Sequence, residues 1–347
     1  MLGTNCSNSL FLQALNCQKP ERAPIWLMRQ AGRYMPQYRS LRQKYSFVEL
    51  CHQPEVAAEV TLLPLDLLDV DAAILFSDIL VILEAFNIPF HFEEGKGPII
   101  ERPLRTAADV DQLQMRPIAE ALGYVSQAIG LILPQIKVPL IGFCGAPFTI
   151  ASYLIEGGSS RDFKLTKQWM YNDPESFHRL LLKITDATIE YMQMQQEAGV
   201  QAIQIFDSWV HILSHSSFNQ FSLRYLDRIV GKWRTFSRAV PLILFCRGSS
   251  VFVPELVHLR PSGISLDWNG DLSQIRLITP ENIALQGNLD PDVLYSSKEV
   301  IQKEAEKILS SMKDDPGFIF NLGHGIKPDM PFDSVKALVD YVKSRKF

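Results

Sequence analysis

Eight times along the chain a short apolar run ends in a polar, charged or glycine residue and gives way to a longer amphipathic stretch. That alternation is the signature of parallel strands joined by helical crossovers, because strands buried on both faces read as continuous apolar runs. The runs fall at 24–28, 72–76, 138–143, 202–206, 240–245, 263–266, 283–285 and 317–320. Helical patterns lie between them at 54–68, at 174–199 behind the start signal Asp173-Pro174, at 218–238 and at 298–312. Eight strands with intervening helices predict an α/β fold, a (β/α)8 TIM barrel in preference to an open doubly wound sheet. No linker, low-complexity tract or fixed-period repeat interrupts residues 1–347, so a single domain is expected. The early connections are much longer than the late ones and leave room for extra helices covering the barrel mouth.

A chain that is 47% hydrophobic and 21% charged can bury a full core, which excludes disordered and fibrous classes. The net charge of −4 argues against a nucleic-acid or membrane-surface partner, so any bound anion must be met locally. Cys6, Cys17, Cys51, Cys144 and Cys246 are scattered and odd in number, which fits a reducing compartment; a cytoplasmic protein is expected. Asn5, Ser7 and Asn8 argue against a secretory leader. The longest uncharged run, 138–155, contains Gly142, Gly145, Pro147 and Ser152 and is predicted to be a buried strand plus loop, with no membrane span.

In such barrels the active site lies at the C-terminal strand ends. In order, the residues there are Arg29, Asp78, Gly145, Asp207 with Ser208, Arg247, Asp267, Asn288 and His324. The first run leads into RQAGRYMPQYRSLR, which carries Arg29, Arg33, Arg39 and Arg42. Residues 1–50 hold seven Lys or Arg against two Asp or Glu, so positive charge is concentrated in a net-negative protein. Gly32, between Arg29 and Arg33, permits an unusual φ or a close backbone approach. A clamp of guanidinium forks for carboxylate or phosphate is favoured over a solvated basic helix, because the cluster begins at a strand end.

From Pro54 to Glu84 there are seven acids and no Lys or Arg. Most are surface charge, but Asp78 stands alone within AAILFSDILVIL, where an unpaired carboxylate is costly to bury. Its partner is either a barrel arginine or a ligand. In GFCGAPFTIASYLIEGGSS the glycines bracket Tyr153, suggesting a strand end, a tight turn and a second Gly-rich loop; Tyr153 is core packing or a ligand contact. Phe206, Asp207 and Ser208 close one strand, and His324 sits in a Gly-flanked turn. The histidines form no HExxH or HxC pattern, so no metal site is expected, and no GxSxG elbow occurs.

RQAGRY, ILFSDIL, GAPFTIASYLIEGGSS, FDSW, LQGNLDP and NLGHGIKPDM, in this order and across nearly the whole chain, resemble the uroporphyrinogen decarboxylase family. The resemblance implies a cofactor-free lyase of haem biosynthesis that removes four acetate carboxyls of uroporphyrinogen III to give coproporphyrinogen III. It implies a tetrapyrrole as small-molecule partner and a homodimeric (β/α)8 barrel. By resemblance Arg29, Gln30, Ala31, Gly32 and Arg33 hold substrate carboxylates, and Asp78 meets the pyrrole N–H groups. Tyr153, Phe206, Ser208 and His324 complete the site, with Arg42 near the cleft. Catalysis falls to Asp78, Arg29 and Arg33, with Arg29 the expected proton donor and a bound water or substrate carboxyl the alternative. After FDSW this chain has Val210-His211 where a small Ala-Gly pair is expected. The rival readings are a corrinoid-type methyltransferase on the same barrel, which the missing HxC pattern disfavours, and a tetrapyrrole binder without turnover.

Overall fold

The computed structural model describes residues 9–93, 95–237 and 239–346, so Asn5, Cys6, Ser7, Asn8 and the end of the 218–238 helix at Arg238 lie outside it. Seven parallel strands form one curled sheet: β1 Ala73–Ile74, β4 Leu140–Gly145, β5 Ala202–Asp207, β6 Leu242–Cys246, β7 Gly263–Ser265, β8 Ala284–Leu289 and β9 Phe318–Leu322, in that spatial order. Six of the expected strands coincide with β4 to β9 to within a few residues, and β4 to β9 are buried along their whole length.

The run at 24–28 departs from expectation: only an isolated parallel bridge, Ile25 to Phe320, forms there. The reason is that side chains satisfy its backbone donors. Asp71 accepts from Ile25 N (2.8 Å), Gln30 Oε1 from Leu27 N (3.1 Å) and Asn321 Oδ1 from Met28 N (3.0 Å). Its carbonyls still take part, since Phe320 N donates to Pro24 O (2.9 Å) and Asp71 N to Ile25 O (2.8 Å). The segment thus stands between β9 and the start of β1. β1 is also shorter than the run at 72–76, because Phe76 N donates to Thr61 Oγ1 (2.9 Å) instead of to a strand.

The long early connection holds an antiparallel hairpin, β2 Phe90–Glu93 with β3 Gly97–Ile100, in addition to helices. The alternation of Phe90 and Phe92 with polar residues was its sequence signal. Phe92 packs on Phe47 with ring centroids 4.5 Å apart, and Ile99 bridges Gly158. The uncharged run 138–155 is a strand followed by a helix, not a loop: Pro147 starts a helix, Pro147–Glu156, that ends at Gly157 with φ 84°. The helices Pro54–Leu68 and Pro174–Ala198 lie where expected, the second capped by Asp173 and ended by Gly199 at φ 110°. The expected helix 218–238 is a π-helical turn Asn219–Leu223 running into Arg224–Phe236. None of the described helices is long and apolar enough to cross a membrane.

Residues two apart on a strand share a face, so the inner face can be read layer by layer. At the N-terminal strand ends Ile141, Ala202, Ile243, Ala284 and Ile319 pack with Trp26 against the helix Leu10–Leu15, an apolar plug. Above it lies a polar layer in which Gln286 accepts from Trp26 Nε1 (2.8 Å) and donates to Gln204 (3.0 Å) and Ser265 (2.9 Å). Phe206 and Phe245 follow, with Phe143 against Phe206 at 5.8 Å. The plug closes one end, which leaves the C-terminal strand ends for a ligand.

Candidate active site

The loop after Met28 is held by Gln30, whose buried side chain accepts from Leu27 N and donates to Ala72 O (3.1 Å), while its carbonyl accepts from Tyr34 (2.6 Å). Gln30 therefore braces the loop, and Ala31 and Gly32 follow it half-buried. The loop is a succession of turns, so Arg29 and Arg33 do not share a helix face. Arg29 itself adopts φ 61°, the left-handed conformation, and no positive φ occurs at Gly32. A Cβ at Gly32 would meet only ordinary contacts, the nearest Arg29 O at 3.5 Å, which corrects the expectation of an unusual glycine there.

Of the four clustered arginines, two are occupied. Arg39 Nη1 donates to Arg33 O (3.0 Å) and Tyr34 O (3.1 Å), and Arg42 Nη1 donates to Tyr45 O (2.6 Å) at the end of the helix Pro36–Lys44. Arg29 and Arg33 are exposed and make no ion pair among the described residues. The clamp is thus narrower than the sequence suggested.

Asp78 follows β1 and caps the 3-10 helix Ile79–Phe86, Oδ1 accepting from Leu80 N (2.8 Å). Its other oxygen has no partner among the described residues, and no arginine pairs with it within 4.0 Å. Part of its surface remains accessible although protein surrounds it. Burial pushes its carboxyl up to about 6, opposed by the Leu80 N–H and by the charge of Arg29.

Tyr153 lies on the helix Pro147–Glu156 and not in a Gly-rich loop. Its phenol is pushed up to about 12, first by burial and then by the nearby Asp78 carboxylate, with Arg29 opposing. Its ring stands edge-on to Trp209 at 5.7 Å. His324, half-buried, packs against Phe245 (6.1 Å) and Trp268 (6.5 Å). Burial, then Arg29 and Arg247, push its imidazole down to about 3, so it is neutral at pH 7. Phe206 is buried below, and Ser208 is half-buried at the end of β5. Arg29 thus lies within electrostatic reach of Asp78, Tyr153 and His324, although the four come from separate segments of the chain.

The other strand-end candidates serve the scaffold. Asp207 is buried on the helix-facing side of β5 and accepts from Thr149 and Ser222, each at 2.6 Å. Asn288 donates to Asp267 O (2.9 Å) and Gly270 O (2.7 Å). A Cβ at Gly145 would stand 2.6 Å from Ile150 Cδ1, so that glycine is required for packing. Arg247 is different: its guanidinium carbon lies 6.0 Å from the centre of the Trp209 ring, beside His211 and His324. The strand-end rule pointed to Arg247, and no motif assigned it a part. Two surface hollows, about 280 Å³ beside Trp169 and about 430 Å³ beside His258, contain none of these residues. Among the described residues no group of three or more His, Cys, Asp or Glu side chains is arranged to hold a metal ion.

Residues 6–345 match the family model for uroporphyrinogen decarboxylase (URO-D). The uroporphyrinogen decarboxylase of Protochlamydia amoebophila (strain UWE25) is 52% identical over 339 residues, 98% of this chain and 92% of that protein. That of Chloroherpeton thalassium (strain ATCC 35110 / GB-78) is 45% identical over 341 residues, 97% of each. Among solved structures, a methyltransferase from Methanosarcina mazei superposes with a TM-score of 0.78 at 22% identity, covering 97% of this chain and 98% of that one, a likeness of fold alone.

Proposed function

The chain belongs to the uroporphyrinogen decarboxylase family, and from that membership we infer a carboxy-lyase of porphyrin biosynthesis that converts uroporphyrinogen III into coproporphyrinogen III and carbon dioxide. One observation carries the assignment of the site: Asp78 keeps an unpartnered carboxylate oxygen on a partly accessible side chain, within the electrostatic reach of the unpaired Arg29. The substrate bears eight carboxylates, which Arg29 and Arg33 meet as charge-assisted forks. Its reduced macrocycle can pucker so that the pyrrole N–H groups converge on one carboxylate, which has about four acceptor positions, one of them taken in Asp78 by the Leu80 N–H.

Each decarboxylation begins with a proton added to a ring carbon of the pyrrole beside the acetate. The bond to the carboxyl then breaks, and its electron pair enters the protonated ring as carbon dioxide leaves. A proton next adds to the exocyclic carbon and the ring proton departs, so that one proton is consumed per carbon dioxide. Asp78 stabilises the cationic ring, a fixed charge acting in a cavity with little water. Arg29 supplies the proton side. A guanidinium with a pKa above about 12 is a poor acid, so it acts by polarising a water or a substrate carboxyl. Tyr153, Ser208 and His324 line the macrocycle above Phe206. Gln30 contributes through the loop it braces, with Ala31 and Gly32 leaving room beside the guanidinium groups. Arg42 acts at the margin, its guanidinium held by Tyr45 O.

The pyrrole serves as its own electron sink, so the reading includes no cofactor, and treatment with a chelator should leave turnover unchanged. In the same reading the segment around Ile25 is the eighth stave, closing a (β/α)8 barrel over residues 1–347, its support being the bonds to Phe320 and Asp71. A homodimer is carried from the family resemblance, and a cytoplasmic setting from the four described cysteines, all free thiols. The test is incubation with uroporphyrinogen under reducing conditions, followed by chromatography. Products with seven, six, five and four carboxyls are expected. Binding without product would establish the non-catalytic rival.

A further inference from the structure

Beside the proposed site lies a second cationic group that nothing above employs. Arg247 directly follows β6, its N–H donating to Asp207 O (3.0 Å), and its half-buried guanidinium makes no ion pair among the described residues. It lies 6.0 Å from the centre of the Trp209 ring, and the His211 ring lies 6.0 Å from the same centre. His211 is seated on Gly248: a Cβ there would stand 3.0 Å from His211 Cβ, and Gly248 has φ 75°. Asp267 fixes that loop from beneath, Oδ2 accepting from Gly248 N (2.5 Å), while its buried Oδ1 has no hydrogen-bond partner. The arrangement adjoins the site described above, because the same Trp209 ring stands 5.7 Å from the Tyr153 ring, and Arg29, Arg247 and His211 all lie near enough to His324 to oppose its protonation. A guanidinium over an aromatic ring with no ion pair among the described residues is a site that can take up an anion.

We propose that Arg247 and His211 form a second carboxylate subsite, which receives a peripheral carboxylate of the tetrapyrrole that Arg29 and Arg33 do not reach. His211 is then a specificity-determining residue of this chain, and the proposal rests on the decarboxylase reading above. The groups facing His211 are Arg247 from the end of β6, Asp267 from the loop after β7, Lys167 from the helix Lys164–Asn172 and His324 from the loop after β9. Burial and then Arg247 hold its imidazole below the ordinary value, which favours the neutral ring. A docked carboxylate favours the charged ring, so binding takes up a proton and weakens as pH rises. Loss of the Asp78 proton on binding has the opposite sign and partly offsets this slope, so the His211 contribution is read as the difference in slope between wild type and His211→Gln.

The experiment measures KM and kcat for uroporphyrinogen from pH 6 to 8.5 in the wild type, Arg247→Gln and His211→Gln. Arg247→Gln should raise KM about tenfold, with kcat changed less than threefold. His211→Gln should raise KM several-fold at the acid end and flatten the rise of KM with pH. Unchanged KM values with an unaltered KM–pH slope in both variants would overturn the subsite. Arg247→Met and His211→Asn replace any variant whose circular dichroism departs from wild type, with the same criteria. A wild type that yields no decarboxylated product would instead strike at the proposed function, and fluorescence-monitored binding of uroporphyrinogen to the same variants would then read the subsite directly.

Discussion

The stem of Arg29 lies across the bare Cα of Gly325: a Cβ at position 325 would stand 2.6 Å from Arg29 Cγ and 2.9 Å from Nε, and closer still to Cδ. Two segments far apart in the chain thus share one small volume, and the glycine sets where the guanidinium can point. Gly325 has an ordinary φ, so alanine there strains the arginine and not the backbone. Gly325→Ala should therefore cost little stability, because Arg29 is exposed and can swing away, yet lower kcat/KM about 100-fold through a misplaced guanidinium. Thermal denaturation alongside steady-state kinetics checks both halves, and parallel losses of stability and activity would refute the link.

Asp78→Asn preserves the size of the side chain and an oxygen for the Leu80 N–H while removing the charge. Turnover should fall about 10²–10³-fold, the scale for losing a fixed electrostatic stabiliser. Stability should be unchanged or slightly higher, since a surrounded carboxylate without a counter-ion is removed. Near-normal turnover would take Asp78 out of the mechanism.

The pH dependence follows from two carboxyls, Asp78 and Asp207, each pushed up to about 6 by burial. An unfolded aspartate titrates near 3.9, so the folded chain holds these protons more tightly, by about two pH units each. The stability they contribute is fully present below about pH 4 and is lost as pH rises through about 6. The slope of Tm against pH between 4 and 6 should flatten in Asp78→Asn by the share that Asp207 does not supply. Activity runs the other way. The ionised Asp78 is the competent form, so kcat/KM should fall below about pH 6. The acid limb of kcat should lie lower, because bound N–H groups favour the carboxylate. His324, already neutral, should leave both limbs in place when changed to glutamine.

What the sequence disclosed and what it hid divide along a physical line. Strands β4 to β9 were legible because burial on both faces writes a continuous apolar run. Asp78 and the arginine-rich turn were legible because charge beside such a run demands an explanation. The segment at Ile25 looked like a strand because its side chains are as apolar as the others. Its N–H groups, however, go to Asp71, Gln30 and Asn321, which lie at distances in sequence that no local pattern carries. The same blindness hid the occupation of Arg39 and Arg42 by backbone carbonyls and the meeting of Arg247 with His211 at Trp209. Val210-His211 could be noticed in the sequence, but only packing against Gly248 gives it a consequence.

Asp71 offers a test of the sheet's closure. Its half-buried carboxylate receives both Nη atoms of Arg22 at 2.7 Å and the N–H of Ile25, while its own N–H reaches Ile25 O. Asp71→Ala removes the side-chain bonds and leaves the guanidinium without its partner, a loss of about 3 kcal/mol. Chemical denaturation should register that loss. Hydrogen exchange at Ile25 and Phe320 should quicken more than in the middle of β5, if the Ile25 segment depends on Asp71 for its place between β9 and β1.

The choice between puckered and flat macrocycles follows from the single open oxygen of Asp78. In the reduced tetrapyrrole the methylene bridges let the rings tilt, and every inner nitrogen carries a hydrogen that can be directed to one side. The oxidised porphyrin is planar, with two inner N–H groups and two bare nitrogens whose lone pairs would face a carboxylate. The contact would then set two repulsive acceptor pairs against two poorly aimed donors, and the leaving electron pair would find no protonated pyrrole to enter. Uroporphyrin should accordingly retain all eight carboxyls after incubation with the enzyme, measured by the same chromatography that follows uroporphyrinogen. Decarboxylation of both at similar rates would mean that Asp78 does not gather pyrrole hydrogens at all.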